Sequence, residues 1–241
     1  MSAIAARRTI PAKALTMADL LEQLGDIDPQ RVRMCPPPGQ ATEQDVIDIH
    51  DHEDRLYELV DGVLVEKDMG YVESFLAVWM GHLLQGFLEK HDLGILAGAD
   101  GAVRLMPRLV RIPDLSFVSW DQLPNREVPE DPIPDLAPDL AVEVLSKGNT
   151  SKEMARKLRD YFRAGVRLVW FVDRKKRTVE VYTAPDQCVV LTEGQTLDGG
   201  DVLPGFTLPL RTLFARVPQR TSKSAKGKNA RQPAKKKPKK K

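Results

Sequence analysis

Two acidic residues stand where acids are costly. Asp114 in RIPDLSFVSW and Glu143 in PDLAVEVLS each belong to a strand-like run of apolar neighbours. Side chains alternate along a strand, so Glu143 lies opposite Val142 and Val144 and shares a face with Ala141 and Leu145. A carboxylate on such a face is expensive to bury unless a cation or hydrogen bonds offset it. A hard divalent ion is one physical answer: Mg²⁺, with Mn²⁺ as the alternative, is held by one or two carboxylates together with waters and substrate phosphate oxygens. Such an ion makes hydroxide available near neutral pH and offsets charge on a phosphoryl group as its ester bond breaks. The expectation is a metal site on Asp114 and Glu143 with hydrolytic phosphodiester chemistry. The competing use of Asp114 is to cap a turn after Pro113.

An ammonium beside these acids would add stabilisation, and two lysines compete for that place. Lys147 has the strand parity of Glu143 but precedes Gly148 and Asn149, which puts it in a loop. Lys157 lies on the following helix, bordering the stripe Met154, Leu158, Tyr161 and Phe162. A lysine there buries its stem and aims its head at the sheet edge, so Lys157 is preferred. Its plainer use is a surface pair with Glu153, four residues earlier. Tyr161, Trp79 and Trp170 read as core. His50, His52, His82 and His91 have neither zinc spacing nor the acids of a zinc-protease helix, and none is assigned a role.

The elements that must position these residues are partly visible. Thr16 with Asp19 caps a helix from Met17 to Leu24 that Gly25 closes, and Thr42 with Asp45 offers a second cap. The intervening CPPPGQ at 35–40 is irregular by its prolines. These residues, 1–54, read as an arm with short helices. A main domain at 55–217 opens with LYELVDGVLVEK, two alternating runs around Asp61 and Gly62 that predict an N-terminal type I′ hairpin. From Ser74 to Lys90 the residues Phe75, Val78, Trp79, Leu83, Leu84, Phe87 and Leu88 recur at helical spacing and predict a face packed on a sheet. Strand-like runs follow at 102–105, 115–120, 140–145, 168–172, 179–182 and 188–191. A helix at 151–164, capped by Thr150 and Glu153 and closed by Gly165, suggests a parallel crossover between the third and fourth runs. The fold class is α/β, one mixed central sheet flanked by helices.

With these motifs in place, the chain resembles the PD-(D/E)XK nuclease superfamily, and within it the small bacterial restriction-endonuclease-like proteins of the Uma-two family. The likeness runs from about Leu56 to Phe214: YELVDGVLVE, the IPD at Asp114, PDLAVEVLS, KLRDYFRAGV, LVWFVD and LPGFTLPL occur in the family's order. The resemblance implies a restriction-endonuclease-like core, with Asp114 as the acid of the PD half and Glu143 as the acid of the (D/E)XK half. Leu145 occupies the usual lysine slot, and Lys157 on the next helix stands in for it. Glu58, in the hairpin, matches the family's glutamate and would complete the site, although a hairpin glutamate is ordinarily exposed. The activity implied is a metal-dependent DNA endonuclease. The alternative class is a non-catalytic DNA-binding or scaffolding protein that keeps the fold.

Charge distribution adds a second pointer to DNA. The net charge is +2, yet residues 222–241 carry ten Lys or Arg and no acid, which leaves 26 bases against 34 acids in the remainder. That Lys-rich tail, 218–241, is too poor in apolar residues to fold alone and reads as disordered. Two cysteines without metal spacing, no secretory pattern and no apolar run of membrane-spanning length point to a cytoplasmic protein without membrane contact. The expected partners are DNA and, as an option, a second copy of the chain in a homodimer.

Overall fold

Threonine side chains cap the starts of three of the five α-helices among the described residues, and residues that tolerate a left-handed backbone end most of them. A computed structural model describes residues 16–217; the basic tail and the first fifteen residues lie outside the described residues. In α1 (Met17–Leu24) Thr16 and Asp19 form the reciprocal cap, and Gly25 closes the helix at φ 92°. A Cβ at Gly25 would collide with the Glu153 backbone, so this position needs glycine for close approach as well as for its backbone angle. The short β1 (Val32–Arg33) and α2 (Glu43–Glu53) follow, with Thr42 and Asp45 repeating the reciprocal cap. β2 (Tyr57–Val60) and β3 (Val63–Glu66) form the expected hairpin, with Asp61 at φ 54° and Gly62 at φ 82° as a type I′ turn requires. Next come α3 (Tyr71–His91), β4 (Gly94–Ala97), β5 (Val103–Met106), β6 (Leu109–Arg111), β7 (Leu115–Ser119) and β8 (Leu140–Val144). The chain ends through α4 (Ser151–Ala164), β9 (Leu168–Asp173), β10 (Thr178–Ala184), β11 (Gln187–Thr192), β12 (Thr196–Asp198), β13 (Thr207–Pro209) and α5 (Leu210–Phe214).

The strands build two large sheets rather than one. A five-stranded antiparallel sheet has the order β1-β3-β2-β6-β5, and a six-stranded sheet the order β11-β10-β9-β8-β7-β4. Within the second, β8 and β9 are parallel and joined by α4, the crossover expected from the sequence, while the other pairings are antiparallel. β12 and β13 pair as a separate ribbon. The five-stranded sheet is hidden in the sequence because β6 is only three residues long and β1 only two, too short to show alternation.

Three apolar layers follow from strand parity. Val142, Val144, Trp170 and Val172 face α3 and α5, packing with Leu76, Met80, Leu84, Leu213 and Phe214. Ala141, Val169 and Phe171 face the other way, toward α4 and the inner side of the first sheet, where Val60, Val63, Val65 and Val103 meet Leu158 and Tyr161. The outer side of the first sheet, through Tyr57, Leu59, Leu64 and Val110, is covered by Val46 and Ile49 of α2. The arm thus supplies β1 to one sheet, α2 to its cover and α1 to α4.

The long helix corrects the sequence expectation. It begins three residues earlier than Ser74 and buries Leu76, Ala77, Met80, Leu84 and Leu88. Leu84 and Leu88 are buried and Trp79, Leu83 and Phe87 pack half-buried on the same core, whereas Val78 is 69% exposed and Phe75 lies at the surface, so the buried face overlaps the one the spacing suggested but is rotated from it. Apolar residues surround this helix on most sides, which leaves periodicity a weak guide to its facing.

Asp139 ties the entry of β8 to its neighbours. Its carboxylate accepts from the Ser119 amide at 2.8 Å, Gln122 Nε2 at 2.7 Å and Arg167 Nη1 at 3.2 Å. Burial alone would raise its pKa, but these donors outweigh burial and hold the carboxyl below the usual aspartate range. A depressed folded-state pKa stabilises above the unfolded value and loses that contribution as pH falls through the folded one. Asp139→Asn, which turns one acceptor into a donor, is expected to cost roughly 1–3 kcal/mol in urea unfolding at neutral pH. The difference from wild type should shrink below about pH 4, where the wild-type carboxylate also protonates. Equal stabilities at pH 7 would show that these donors do not hold the strand ends.

Candidate active site

The acids singled out in the sequence converge between the two sheets, and their parity explains why. Glu143 leaves β8 on the face of Ala141, toward α4 and the first sheet. Glu58 shares the inner face of β2 with Val60, because Tyr57 and Leu59 point outward. Far from being exposed, Glu58 is 1% accessible. Asp114 sits just before β7, with its amide donating to the Val142 carbonyl at 2.9 Å. Its Oδ2 accepts the Val144 amide at 2.6 Å, which places it beside the C-terminal end of β8.

Lys157 reaches in from α4 and bridges the sheets. Its Nζ is 2.9 Å from Glu58 Oε1 and 3.0 Å from Glu143 Oε1. Lys147 is exposed in the β8–α4 loop, so the structure brings Lys157 and not Lys147 to the acids. Glu153 pairs with Arg31 of the arm at 2.8 Å rather than with Lys157. An ammonium has three donors, and the third on Lys157 has no partner among the described residues.

Tyr161 belongs to the core and also to this site, since its hydroxyl donates to Glu143 Oε1 at 2.5 Å. Three more groups escaped the sequence reading. Arg111 Nη1 lies 2.7 Å from Glu58 Oε2, and its Nη2 is 2.5 Å from Asp160 Oδ2. Lys67 Nζ lies 2.9 Å from Asp114 Oδ1. The Arg111 signal lay in pairing: Leu59 opposes Val110, so the next residues outward, Glu58 and Arg111, meet across β2 and β6. Nothing in the sequence marked Lys67 beyond its place at the end of the hairpin. His50, His52, His82 and His91 are all exposed, and Trp170 is core.

The electrostatics are tightly coupled. Burial would raise the Glu58 carboxyl, but Lys157 and Arg111 more than offset it and hold its pKa at about 2. Burial likewise opposes charge on Lys157, yet Glu143 and Glu58 keep its ammonium above the usual lysine range. For Glu143 burial wins: with Asp114 and Glu58 adding negative charge nearby, its carboxyl is pushed up despite Lys157. Four carboxylates, Glu58, Asp114, Glu143 and Asp160, face Lys67, Arg111 and Lys157, with Arg156 3.9 Å from Asp160.

The hard oxygens of this cluster suit a divalent cation. Among the described residues no three His, Cys, Asp or Glu side chains form a ready-made metal cage. A Mg²⁺ site needs less, because this ion keeps several waters and takes one or two carboxylates from the protein. Asp114 and Glu143 offer that pair, and Glu143 Oε2 accepts no hydrogen bond among the described residues.

The fold is a mixed α/β architecture that recurs among solved structures. A crystal structure described as a putative nuclease of the DUF820 group from Anabaena variabilis matches with a TM-score of 0.60, covering 67% of this chain and 91% of that one at 18% identity. The chain belongs to the Uma2 family, described as "Putative restriction endonuclease", whose model matches residues 43–211. No curated protein matches the chain.

The ion network predicts its own weakest point. Arg111→Met removes the partner shared by Glu58 and Asp160 and leaves buried carboxylates without it. The expected loss is about 3–5 kcal/mol in chemical denaturation, the usual cost of stranding a buried charge. A loss under about 1 kcal/mol, the range of exposed pairs, would mean that water reaches these groups freely.

Proposed function

We propose that this protein is a metal-dependent endonuclease that hydrolyses phosphodiester bonds in DNA. The observation that carries the reading is the placement of Asp114 and Glu143 at the same end of β8, with the Lys157 ammonium 3.0 Å from Glu143. The family description and the nuclease named among similar structures support the same class. Asp114 and Glu143 would hold Mg²⁺ or Mn²⁺, and Glu58 anchors Lys157 beside them. When bound, the ion supplies positive charge to phosphate oxygens and acidifies a water. Lys157 spends two N–H groups on Glu58 and Glu143 and keeps the third for a phosphate oxygen or the attacking water. Tyr161 and Lys157 together fix the Glu143 carboxylate, so its orientation is set before substrate arrives.

Cleavage of plasmid DNA with Mg²⁺, Mn²⁺ or chelator tests this directly. Asp114→Ala and Glu143→Ala should abolish cutting while circular dichroism stays native, and excess chelator should stop the wild type. Lys157→Met, which keeps the stem and loses the charge, should lower turnover by ~10² or more. Undiminished cutting by either acid variant would sink the metal assignment. Normal cutting by Lys157→Met with loss in Lys147→Met would transfer the role to Lys147. The competing reading, a DNA-binding or scaffolding protein without chemistry, draws on the low accessibility of Glu58, Asp114, Glu143 and Lys157. DNA binding with no cleavage under any metal would select it.

The tail supplies a separate route to DNA. Ten positive charges in residues 222–241 follow a body in which acids outnumber bases. Each phosphate that such a segment neutralises steepens log K against log salt by about 0.9. Removing residues 222–241 should weaken nonspecific DNA binding and flatten its salt dependence, with cleavage at saturating DNA little changed. Equal slopes for the two proteins would show that the tail does not touch DNA. The exposed, unpaired Cys35 and Cys188 suit the reducing cytoplasm as its location. Among the described residues no helix is long and apolar enough to cross a membrane.

A further inference from the structure

Lys67 is a buried cation that the nuclease reading leaves without a task. Its side chain, 4% exposed, follows β3 and enters the space between the sheets. Nζ reaches the Ala99 carbonyl at 3.0 Å, the Ile112 carbonyl at 2.7 Å and Asp114 Oδ1 at 2.9 Å. Two of its N–H groups donate to the carbonyls, and its charge stands against the Asp114 carboxylate. Lys67 therefore differs from Lys157: two of its partners are backbone carbonyls, and Asp114 is its one carboxylate, whereas Lys157 faces two carboxylates. Its acceptors come from separate segments: Ala99 from the β4–β5 connection, Ile112 and Asp114 from the passage between β6 and β7. Asp114 is consequently gripped from two sides, by Lys67 on Oδ1 and by the Val144 amide on Oδ2.

We infer that Lys67 is a positioning residue: it fixes where the Asp114 carboxylate points and, by its own charge, weakens that carboxylate's hold on a divalent cation. The first half rests on contacts alone; the second rests on the metal reading above. A carboxylate oxygen has lone pairs for more than one partner, so Lys67 does not block an ion from Asp114. It does repel one, because two cations sharing a carboxylate interact through a poorly screened interior. The chain thus trades affinity for the ion against a carboxylate held still.

Two measurements separate the halves, and neither depends on cleavage. Lys67→Gln keeps N–H donors for the carbonyls and removes the charge, whereas Lys67→Arg keeps the charge. Calorimetric titration with Mn²⁺ in the absence of DNA should show Lys67→Gln binding roughly tenfold or more tighter than wild type, and Lys67→Arg close to wild type. Without metal, the Val144 amide should exchange its hydrogen about tenfold or more faster in Lys67→Gln, since its acceptor is no longer pinned. Unchanged Val144 exchange overturns the positioning role, and unchanged or weaker Mn²⁺ binding overturns the charge effect. If Mn²⁺ binds to none of the three proteins, the metal reading falls together with the charge effect, while Val144 exchange still decides the positioning role. The wild type provides a check that needs no folded variant. A buried ammonium held by two carbonyls and a carboxylate should show slowly exchanging Nζ protons by heteronuclear NMR, and rapidly exchanging ones would overturn the assignment.

Discussion

The two sheets are joined at their centre by charge as well as by apolar contact, and the Lys157 ammonium is the joint. It belongs to a helix packed on the six-stranded sheet, yet it touches one carboxylate from each sheet, Glu58 and Glu143. Removing it would leave both acids buried without their shared partner, so the sheets cannot slide or separate without exposing that deficit. Arg111 repeats the arrangement one step away by linking β2, through Glu58, to α4, through Asp160. An all-apolar layer of the same size would cohere without fixing a register. Paired charges of this kind specify which strand residue meets which helix residue.

This arrangement divides the site into two parts of different origin. β8, α4 and β9 follow one another in the chain and deliver Glu143, Lys157 and Tyr161 as one local unit. Glu58, Lys67, Arg111 and Asp114 come from the hairpin and from the end of β6 onward. Contacts within the first unit close short loops, whereas contacts across the sheets close long ones at greater entropic cost. The ionic cluster is complete only when both parts have docked, which couples it to the integrity of the whole fold.

The sequence was informative where a residue violated its surroundings and uninformative where it conformed. Glu143 between valines and Asp114 after Ile112 and Pro113 were conspicuous because acids are rare in apolar strands. The capping pairs at Thr16 and Thr42, the Asp61–Gly62 turn and the α4 crossover were legible because each depends on a few adjacent residues. Glu58 was underrated because a four-residue strand buried on both faces shows no alternation: Tyr57, Glu58, Leu59 and Val60 are all buried. Tyr161 was read correctly for its ring and missed for its hydroxyl, since one side chain serves both a core and a polar partner. Lys67 and Arg111 were invisible for a different reason. Their partners lie in segments far apart in the chain, and only tertiary pairing reveals them.

Family likeness begins at residue 43, but physical cohesion begins in the arm before it. Gly25 presses against the backbone of α4, the Thr150 hydroxyl donates to the Gly25 carbonyl, and Arg156 donates to the Gln23 carbonyl. Lys152 pairs with Asp26 at 2.6 Å, and Glu153 with Arg31 at 2.8 Å. These partners all sit on the helix that carries Lys157 and Tyr161. What is inherited as a recognisable unit and what holds together as a solid are therefore different stretches of this chain. The arm lies as a splint along the most heavily charged helix of the fold.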